Sequence, residues 1–469
     1  MSLTKVSYSM VQGAPINVKD YGAVGNGTTD DTAAIQAAIN AAQGVGGKLV
    51  FPQANYVISS ALLVTAPITI DGQMAQIYQK TTNTNAFVFD KGVSNAGNYQ
   101  YSFNVQNLVV ATIAGTGNAF VFRNINESTF KNLYVPGVGA IAFYFQGCLL
   151  NLVEHCYTGD GLTVSPGFFI TGLPTNKYGF ITEDYNSLGS NSNVFERCTA
   201  TNSSFTAFQI AGNGNTLINC DAEGISSGST HVALTGPSNV IGGDFEGTGS
   251  GIVITASNCT IQGINSGTFV EVSTGVKGTD IRGGYSKYIV FDSGSSYNSV
   301  QNLMIGAGGS LVDNGTNNVK QNITSSTGTQ LGDYLTGTFT PLLKFGGGNT
   351  SMTYYNNVGS YRRSGNTVFV QLWVYVNVLG SSTGAATIDL NDLPFTSANI
   401  GSGRTVQLSA ISNLVIVGAG YGNVIPVLDN NSKTIEIQDI SATTGLSTNL
   451  ANTAFANGSQ IQISGTFAV

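Results

Sequence analysis

Between about Asn193 and Leu303 a short apolar block returns again and again, each time followed by a turn of small residues. Leu217-Ile218, Val240-Ile241, Thr260-Ile261, Asp280-Ile281 and Ser299-Val300 align, and their second members step by 23, 20, 20 and 19 residues. A period near 20, built from β-branched residues and Asn, Gly and Ser turns, belongs to a solenoid whose coils must stack to bury an apolar face. Helical solenoid repeats are longer and rich in Leu, Ala, Glu and Lys, which this ladder lacks. The spacing therefore predicts an all-β parallel β-helix with one coil per repeat.

Composition agrees. A chain of 469 residues is too long for one compact core, but a solenoid escapes that limit by growing along an axis. Only 9% of residues are charged, while 60 Gly and 42% apolar residues give a turn-rich chain. The 24 Phe and 20 Tyr supply ample surface to bury, which excludes disorder. A net charge of −7 without a Lys/Arg cluster leaves no footprint for nucleic acid or an anionic membrane. The five Cys (148, 156, 198, 220 and 259) are odd in number and lack CxxC spacing, so buried thiols are expected rather than a disulfide framework. Cys198 and Cys220 fall at the same place in consecutive repeats, which predicts a small-residue stack inside the helix. The opening residues hold no apolar core of signal-peptide length, and no later run approaches a membrane span. The expectation is a chain made in a cytoplasm, without membrane insertion.

Residues 1–16 read as an extended lead-in and 17–60 as an N-terminal cap. A strand from Ile16 passes through a Gly-rich turn into a helix over roughly Asp31 to Gln43, capped by Thr29 or Asp30, with Ile35, Ala38, Ile39 and Ala42 on one face. Such a helix would cover the open end of a β-helix, where unpaired strand edges and apolar interior are exposed. The run Asp20-Tyr-Gly-Ala-Val-Gly-Asn-Gly-Thr-Thr-Asp-Asp-Thr-Ala-Ala-Ile-Gln-Ala-Ala-Ile, followed by Gly47-Lys-Leu-Val-Phe-Pro-Gln-Ala-Asn-Tyr-Val-Ile, resembles the opening signature of the pectate-lyase-like superfamily of right-handed β-helices. The lead-in and the C-terminal region resemble bacteriophage tailspike and tail-fibre proteins. That resemblance implies a homotrimer on a virion, joined to phage tail or baseplate proteins and made in the bacterial host cytoplasm. It also implies a β-helix that binds, and usually cleaves, a bacterial surface polysaccharide. Tailspikes commonly carry a sizeable virion-attachment domain first, and the lead-in leaves hardly any residues for one.

The β-helix is expected over 17–325. Asn151-Leu-Val-Glu-His-Cys and Asn193-Val-Phe-Glu-Arg-Cys match 42 residues apart, which is two coils or one coil plus an insertion. The stretch from about 158 to 192, with Phe168-Phe-Ile, Lys177-Tyr-Gly-Phe-Ile and Glu183-Asp-Tyr, would form a lip over a groove. A polar stretch from about Gln321 to Asp333 breaks the repeat. Longer alternating strands then predict a separate antiparallel β-sandwich over 326–469, for which the tailspike resemblance implies trimerisation and sugar contact. The lone Trp373 has two readings, stacking on a sugar ring or a place in that domain's core, and its position in the middle of an alternating strand favours the core.

Two consecutive coils repeat an acidic pattern, Asp221-Ala-Glu-Gly and Asp244-Phe-Glu-Gly. With Cys220, Ala222 and Phe245 inward, alternation turns Asp221, Glu223, Asp244 and Glu246 outward as a square of carboxylates. Alternate residues lie about 6.6 Å apart along a strand, and coils lie about 4.8 Å apart. These separations straddle the retaining glycosidase geometry (about 5–5.5 Å) and the inverting one (about 6.5–9.5 Å). Crowding of like charge keeps one carboxyl protonated as general acid while another serves as base or nucleophile. The alternative is a set of solvated carboxylates on a sheet exterior or a cation site. Arg197, Tyr185, Arg282 and Tyr285 are the candidate substrate-binding residues, and Glu183, Asp184 or Glu196 could supply a partner acid between subunits.

Other chemistries have less support. His155 and His231 lack metal-ligand spacing, Gly224-Ile-Ser-Ser-Gly sits in a turn rather than at a strand-to-helix elbow, and Gly212-Asn-Gly lacks the phosphate-loop Lys. No cofactor signature is present. Three functions remain: an endo-acting glycoside hydrolase, a polysaccharide lyase using Glu154-His155, Glu196-Arg197 or Lys177, and a non-catalytic receptor-binding fibre.

Overall fold

The computed structural model describes residues 13–91, 99–159, 173–329, 331, 334–398, 406–407, 423–440 and 444–469. Residues 1–12 of the lead-in and Phe168-Phe-Ile of the lip lie outside them. The chain divides into two compact units, residues 1–319 with 323–329, and residues 320–322 with 330–469.

The first unit is a parallel β-solenoid of about twelve turns. Each coil contributes strands to three faces. In one coil the first face holds Leu152–Glu154, the second Tyr157–Thr158 and the third Tyr178–Glu183. The first face carries a column of buried residues in direct register: Phe130, Val153, Phe195, Leu217, Val240, Ile261, Ile281 and Val300. This column corrects the alignment by one residue. Ile261 pairs with Val240, while Ile241 stands outside at 39% exposure, so the buried position steps by 23, 21, 20 and 19. An inserted residue in a corner shifts the apparent period without disturbing which side chain points inward.

The third face is lined inside by aromatic rings. Phe87, Phe120, Phe143, Phe180 and Phe208 stack at 5.7, 5.4, 4.6 and 4.9 Å between centroids. Val232, Ile252 and Val270 continue the same column. At the corner where the third face turns into the first, Asn151, Asn193 and Asn215 from three consecutive coils form a buried amide ladder. Asn193 Oδ1 accepts from the backbone N–H of Asn151 at 3.2 Å and from its Nδ2 at 2.9 Å; Asn193 Nδ2 donates to the Cys148 carbonyl at 2.9 Å. Replacing Asn193 with Ala should cost about 2–3 kcal/mol, because it strands buried donors and an acceptor. Urea denaturation would read the loss; a shift under about 0.5 kcal/mol would show that water substitutes for the amide.

The five thiols are buried and free. Cys156, Cys198 and Cys220 precede the second-face strands of three consecutive coils, and each Sγ–H points at a carbonyl of the coil before: Phe130, Val153 and Phe195. Burial pushes the Cys148 thiol up to about 12, so that residue behaves as a small hydrophobe.

The helix α1 spans Thr32–Val45, and its buried stripe is Ile35, Ala38, Ile39 and Ala42. The N-cap is Asp31 rather than Thr29 or Asp30, and its side chain makes no cap bond; Asp30, one residue earlier, accepts from the Thr32 backbone N–H at 3.1 Å. The neighbouring Asp31 is buried instead, and its carboxylate accepts from the backbone N–H of Val24 and Gly25 at 2.7 and 3.1 Å. The two acids thus have separate structural tasks: Asp30 accepts from the first helical N–H, and the N-cap Asp31 turns its side chain back to close the turn before the helix.

The second unit contains two antiparallel sheets. One orders Tyr334–Phe339, Thr353–Ser364, Thr367–Val378 and Gln460–Ala468; the other contains Leu342–Phe345, Ala386–Asp389, Thr434–Ile440 and Asn423–Leu428. Their inner faces share one core that includes Val368, Val370, Leu372, Val374, Ile388, Ile435 and Ile463. Trp373 is not part of that core. It belongs to the opposite phase of its strand, with Phe369, Gln371 and Tyr375, and stands half-buried on the outer face. The strand's own alternation overrides the general tendency of Trp to be buried.

Candidate functional site

The second face presents one residue per coil in a straight outward row. Tyr134, Tyr157, Thr199, Asp221, Asp244, Asn265 and Tyr285 are consecutive register partners. Six steps of about 4.8 Å give roughly 29 Å along the axis, and the register continues beyond them to Val109 before Tyr134 and to Met304 after Tyr285. Cys220, Ala222 and Phe245 point inward, as alternation requires.

Asp221 and Asp244 are both half-buried and directly opposed. Asp221 Oδ1 accepts from the Asp244 backbone N–H at 3.2 Å, and Asp244 Oδ1 accepts from Asn265 Nδ2 at 3.0 Å. Burial, and next the charge of Asp244, hold the Asp221 carboxyl above the ordinary aspartate range against the opposing hydrogen bonds from Asp244 N–H and Thr199. The pair therefore holds unlike carboxyls, one fixed by an amide and the other biased towards keeping its proton.

The second half of the expected square does not form. The register shifts between Ala222 and Ile225, so Glu223 and Gly224 together face Glu246. Gly224 adopts φ +63°, and a Cβ there would meet Asn202 Oδ1 at 2.3 Å. This glycine permits the bulge, which turns Glu223 and Glu246 into exposed residues without direct ladder partners in one another.

A second group lies at the corner between the first and second faces. One residue per coil takes the left-handed conformation there: Asn107, Asn132, His155, Arg197, Asn219, Gly242, Gly263, Gly283 and Asn302. Asn and Gly adopt it readily, whereas His155 and Arg197 do so at a cost of roughly 1–2 kcal/mol each. Beside them Lys131, Glu154 and Glu196 stack on the first face. Glu154 bridges Lys131 Nζ at 3.0 Å and His155 Nδ1 at 3.2 Å, and Glu196 pairs with Arg197 at 3.3 Å.

Residues 15–282, more than half of the chain, match the rhamnogalacturonase A/epimerase, pectate lyase-like family. The chain belongs to that family. Curated relatives match over short segments: a mannuronan C5-epimerase of Azotobacter vinelandii, AlgE1, is 59% identical over 44 residues, 9% of this chain and 3% of that protein. Alginate lyase 7 of the same organism is 47% identical over 64 residues, 12% of this chain and 8% of that protein. The chain spans less than a tenth of the length of these relatives. Among solved structures, the ORF18 protein of Geobacillus virus E2 covers 93% of this chain and 86% of its own at 16% identity and a TM-score of 0.45. The tailspike protein of Acinetobacter phage vB_ApiP_P1 covers 97% and 87% at 14% identity and a TM-score of 0.42.

Within this pectate lyase-like chain the matched residues include both acids of the row and end before Tyr285. Of the sequence-predicted binding residues, Tyr285 joins the row two coils beyond Asp244, and Arg197 stands at its corner one coil before Asp221. Arg282 lies across the glycine corner on the first face, paired with Asp280 at 2.5 Å. Tyr185 is elsewhere. It follows the third-face strand Tyr178–Glu183, and its ring lies 5.4 Å below the Arg123 guanidinium. Glu183 is also on the third face, bonded to Tyr144 and Gln146, while Asp184 accepts from Ser190 N–H.

The reason is the length of the insertion. Leu152–Glu154 pairs directly with Val194–Glu196, so the 42-residue gap is one coil plus an insertion. Tyr178–Glu183 is a regular third-face strand that divides the extra residues, most of them before it, between 158 and 178, and five after it, between 183 and 194, where Tyr185 stands. Tyr134, Tyr157, Thr199 and Asn265 escaped the sequence reading because their alignment with the acids depends on that register.

Proposed function

We propose that this chain is a virion-associated tailspike depolymerase that cleaves a bacterial surface polysaccharide by endo-glycoside hydrolysis. The observation that carries the reading is the register pair Asp221 and Asp244 in an outward row that also holds Tyr157 and Tyr285. Asp221 acts as general acid and protonates the glycosidic oxygen. Asp244 attacks the anomeric carbon as the C–O bond breaks; water then displaces Asp244, with Asp221 now accepting its proton. A coil spacing of about 4.8 Å sits near the retaining separation of about 5–5.5 Å. Tyr157 and Tyr285 offer ring faces to sugars on either side, and Arg197 offers a cation to an acidic substituent. The homotrimer and the attachment to phage tail or baseplate proteins rest on the sequence resemblance to tailspikes, as does the placement on a virion.

The left-handed His155 and Arg197 favour a second reading, a lyase that withdraws a proton beside a uronate carboxylate. Local likeness to alginate-acting enzymes is in keeping with it. Incubation with purified capsular, exopolysaccharide and O-antigen polysaccharides discriminates the two. New reducing ends without ultraviolet absorbance of unsaturated uronate are expected. Both signals together would transfer the chemistry to the His155 corner, and binding without either would leave a non-catalytic fibre.

A further inference from the structure

His231 is fully buried, and the chemistry of the acidic row does not use it. It stands in the third-face strand Thr230–Leu234, between the ladder pairs Thr206–Thr230 and Phe208–Val232, and so beside Ala207. Gly179 holds the same place two coils earlier and Gly251 one coil later, so a bulky ring departs from the column. From there the imidazole reaches across the corner between the second and third faces. Its Nδ1 lies 2.7 Å from the Ser250 carbonyl oxygen, and its Nε2 lies 3.0 Å from that of Glu246. These two carbonyls bracket residues 247–249, through which the strand Asp244–Gly247 turns into the third face. Towards the following coil that strand is laddered at Asp244–Asn265 and Phe245–Ser266, so Glu246 lies past the last pair.

We infer that His231 is a positioning residue for the acidic pair: as an imidazolium it donates to both ends of this turn and holds the Asp244 strand against Asp221. Its catalytic consequence rests on the hydrolase reading. Carbonyl oxygens only accept. A neutral imidazole has one N–H and one lone pair, so one of the two carbonyls would face a lone pair at hydrogen-bond distance; a ring protonated on both nitrogens satisfies both. The surroundings suit a cation. The strands packed against His231 are Thr206–Ile210, Asp221–Ile225, Asp244–Gly247 and Ser250–Ile254. They bring the carboxyl groups of Asp221, Glu223, Asp244 and Glu246, and neither Lys nor Arg. The bond from the Asp244 N–H to Asp221 Oδ1, at 3.2 Å, lies two residues from the held carbonyl of Glu246. A strand of four residues has few other anchors, so loss of the clasp frays it from that end.

Nitrogen-15 NMR of the full chain labelled at histidine tests the charge, with His155→Gln assigning the two rings. Two protonated ring nitrogens on His231 are expected at neutral pH; a single N–H, in either tautomer, overturns the inference. Two variants test the positioning. His231→Phe keeps a ring and removes both donors, whereas His231→Gln keeps N–H donors. Hydrogen exchange followed by mass spectrometry should run about tenfold faster at residues 244–250 in His231→Phe, with Phe120–Arg123 and Ile141–Gln146 unchanged and His231→Gln closer to the parent. On a polysaccharide that the parent cleaves, His231→Phe should lose about tenfold in kcat at constant KM, and His231→Gln should regain part of it. Exchange at 244–250 or kcat left at the parent's value in His231→Phe overturns the inference. Faster exchange throughout the solenoid also overturns it, because His231 would then serve general stability. A parent that cleaves nothing removes the hydrolase reading, and ring protonation and local exchange then decide the clasp by themselves.

Discussion

Asp221→Asn and Asp244→Asn should each lower the release of reducing ends by about a thousandfold, with polysaccharide binding retained. The amides keep the shape of the side chains, so the loss isolates proton transfer and nucleophilic attack from folding. The pH profile adds a second readout. Asp221 works in its protonated form, which burial and then the Asp244 charge favour. Activity should therefore fall as pH rises through the Asp221 pKa, and that limb should lie above the ordinary aspartate range. A raised carboxyl pKa also works against stability: the neutral form is tolerated at low pH, and stability is lost as pH rises through the folded value. Asp221→Asn should consequently be no less stable than the parent at neutral pH, and slightly more so if burial dominates. Asp244→Asn removes the like charge, so an NMR titration of the Asp221 carboxyl in that variant should move towards the ordinary range. Unchanged rates in both variants would remove this pair from the chemistry and direct attention to His155 and Arg197.

Phe143→Ala should destabilise the solenoid by about 3–5 kcal/mol. Phe143 is fully buried, and its ring is stacked against Phe120 at 5.4 Å and 3°, and against Phe180 at 4.6 Å and 7°. In a solenoid each coil is held by its two neighbours, so one truncation weakens two interfaces at once. The cavity cannot collapse easily, because the rings on either side are fixed by their own strand register with Phe143. Phe143→Leu keeps much of the volume and should cost less, about 1–2 kcal/mol. Urea or thermal denaturation of the solenoid measures both. A loss below about 1 kcal/mol for the alanine variant would mean that the stack is not packed ring upon ring.

The parallel solenoid, the capping helix and the inward Ala222 and Phe245 were legible in the sequence because each reflects local chemistry: periodic apolar residues, turn-forming Asn and Gly, a stripe at helical spacing. The helix is one residue later at its start and two later at its end than expected, but its buried stripe is unchanged. Trp373 shows a different case. The phase that buries Val368, Val370, Leu372 and Val374 was present in the sequence and already placed Trp373 outside. A general rule about tryptophan obscured a specific one about alternation.

What the sequence by itself determined is which residues each coil turns inward and which it offers to solvent, since that depends on a strand period of two and on apolar burial. The tertiary structure decided which outward residues meet. A parallel coil pairs residues some 20 positions apart, and every corner or bulge adds or removes a residue before the next pairing. One such step set Val240 rather than Ile241 over Ile261. Another, at Glu223 and Gly224, opened the expected square into the single pair Asp221 and Asp244. Extra residues on both sides of Tyr178–Glu183 left Tyr157 in the acidic row and Tyr185 in the corner beyond the third face. Register between distant segments is a sum of such local offsets, and only the stacked solenoid makes that sum visible.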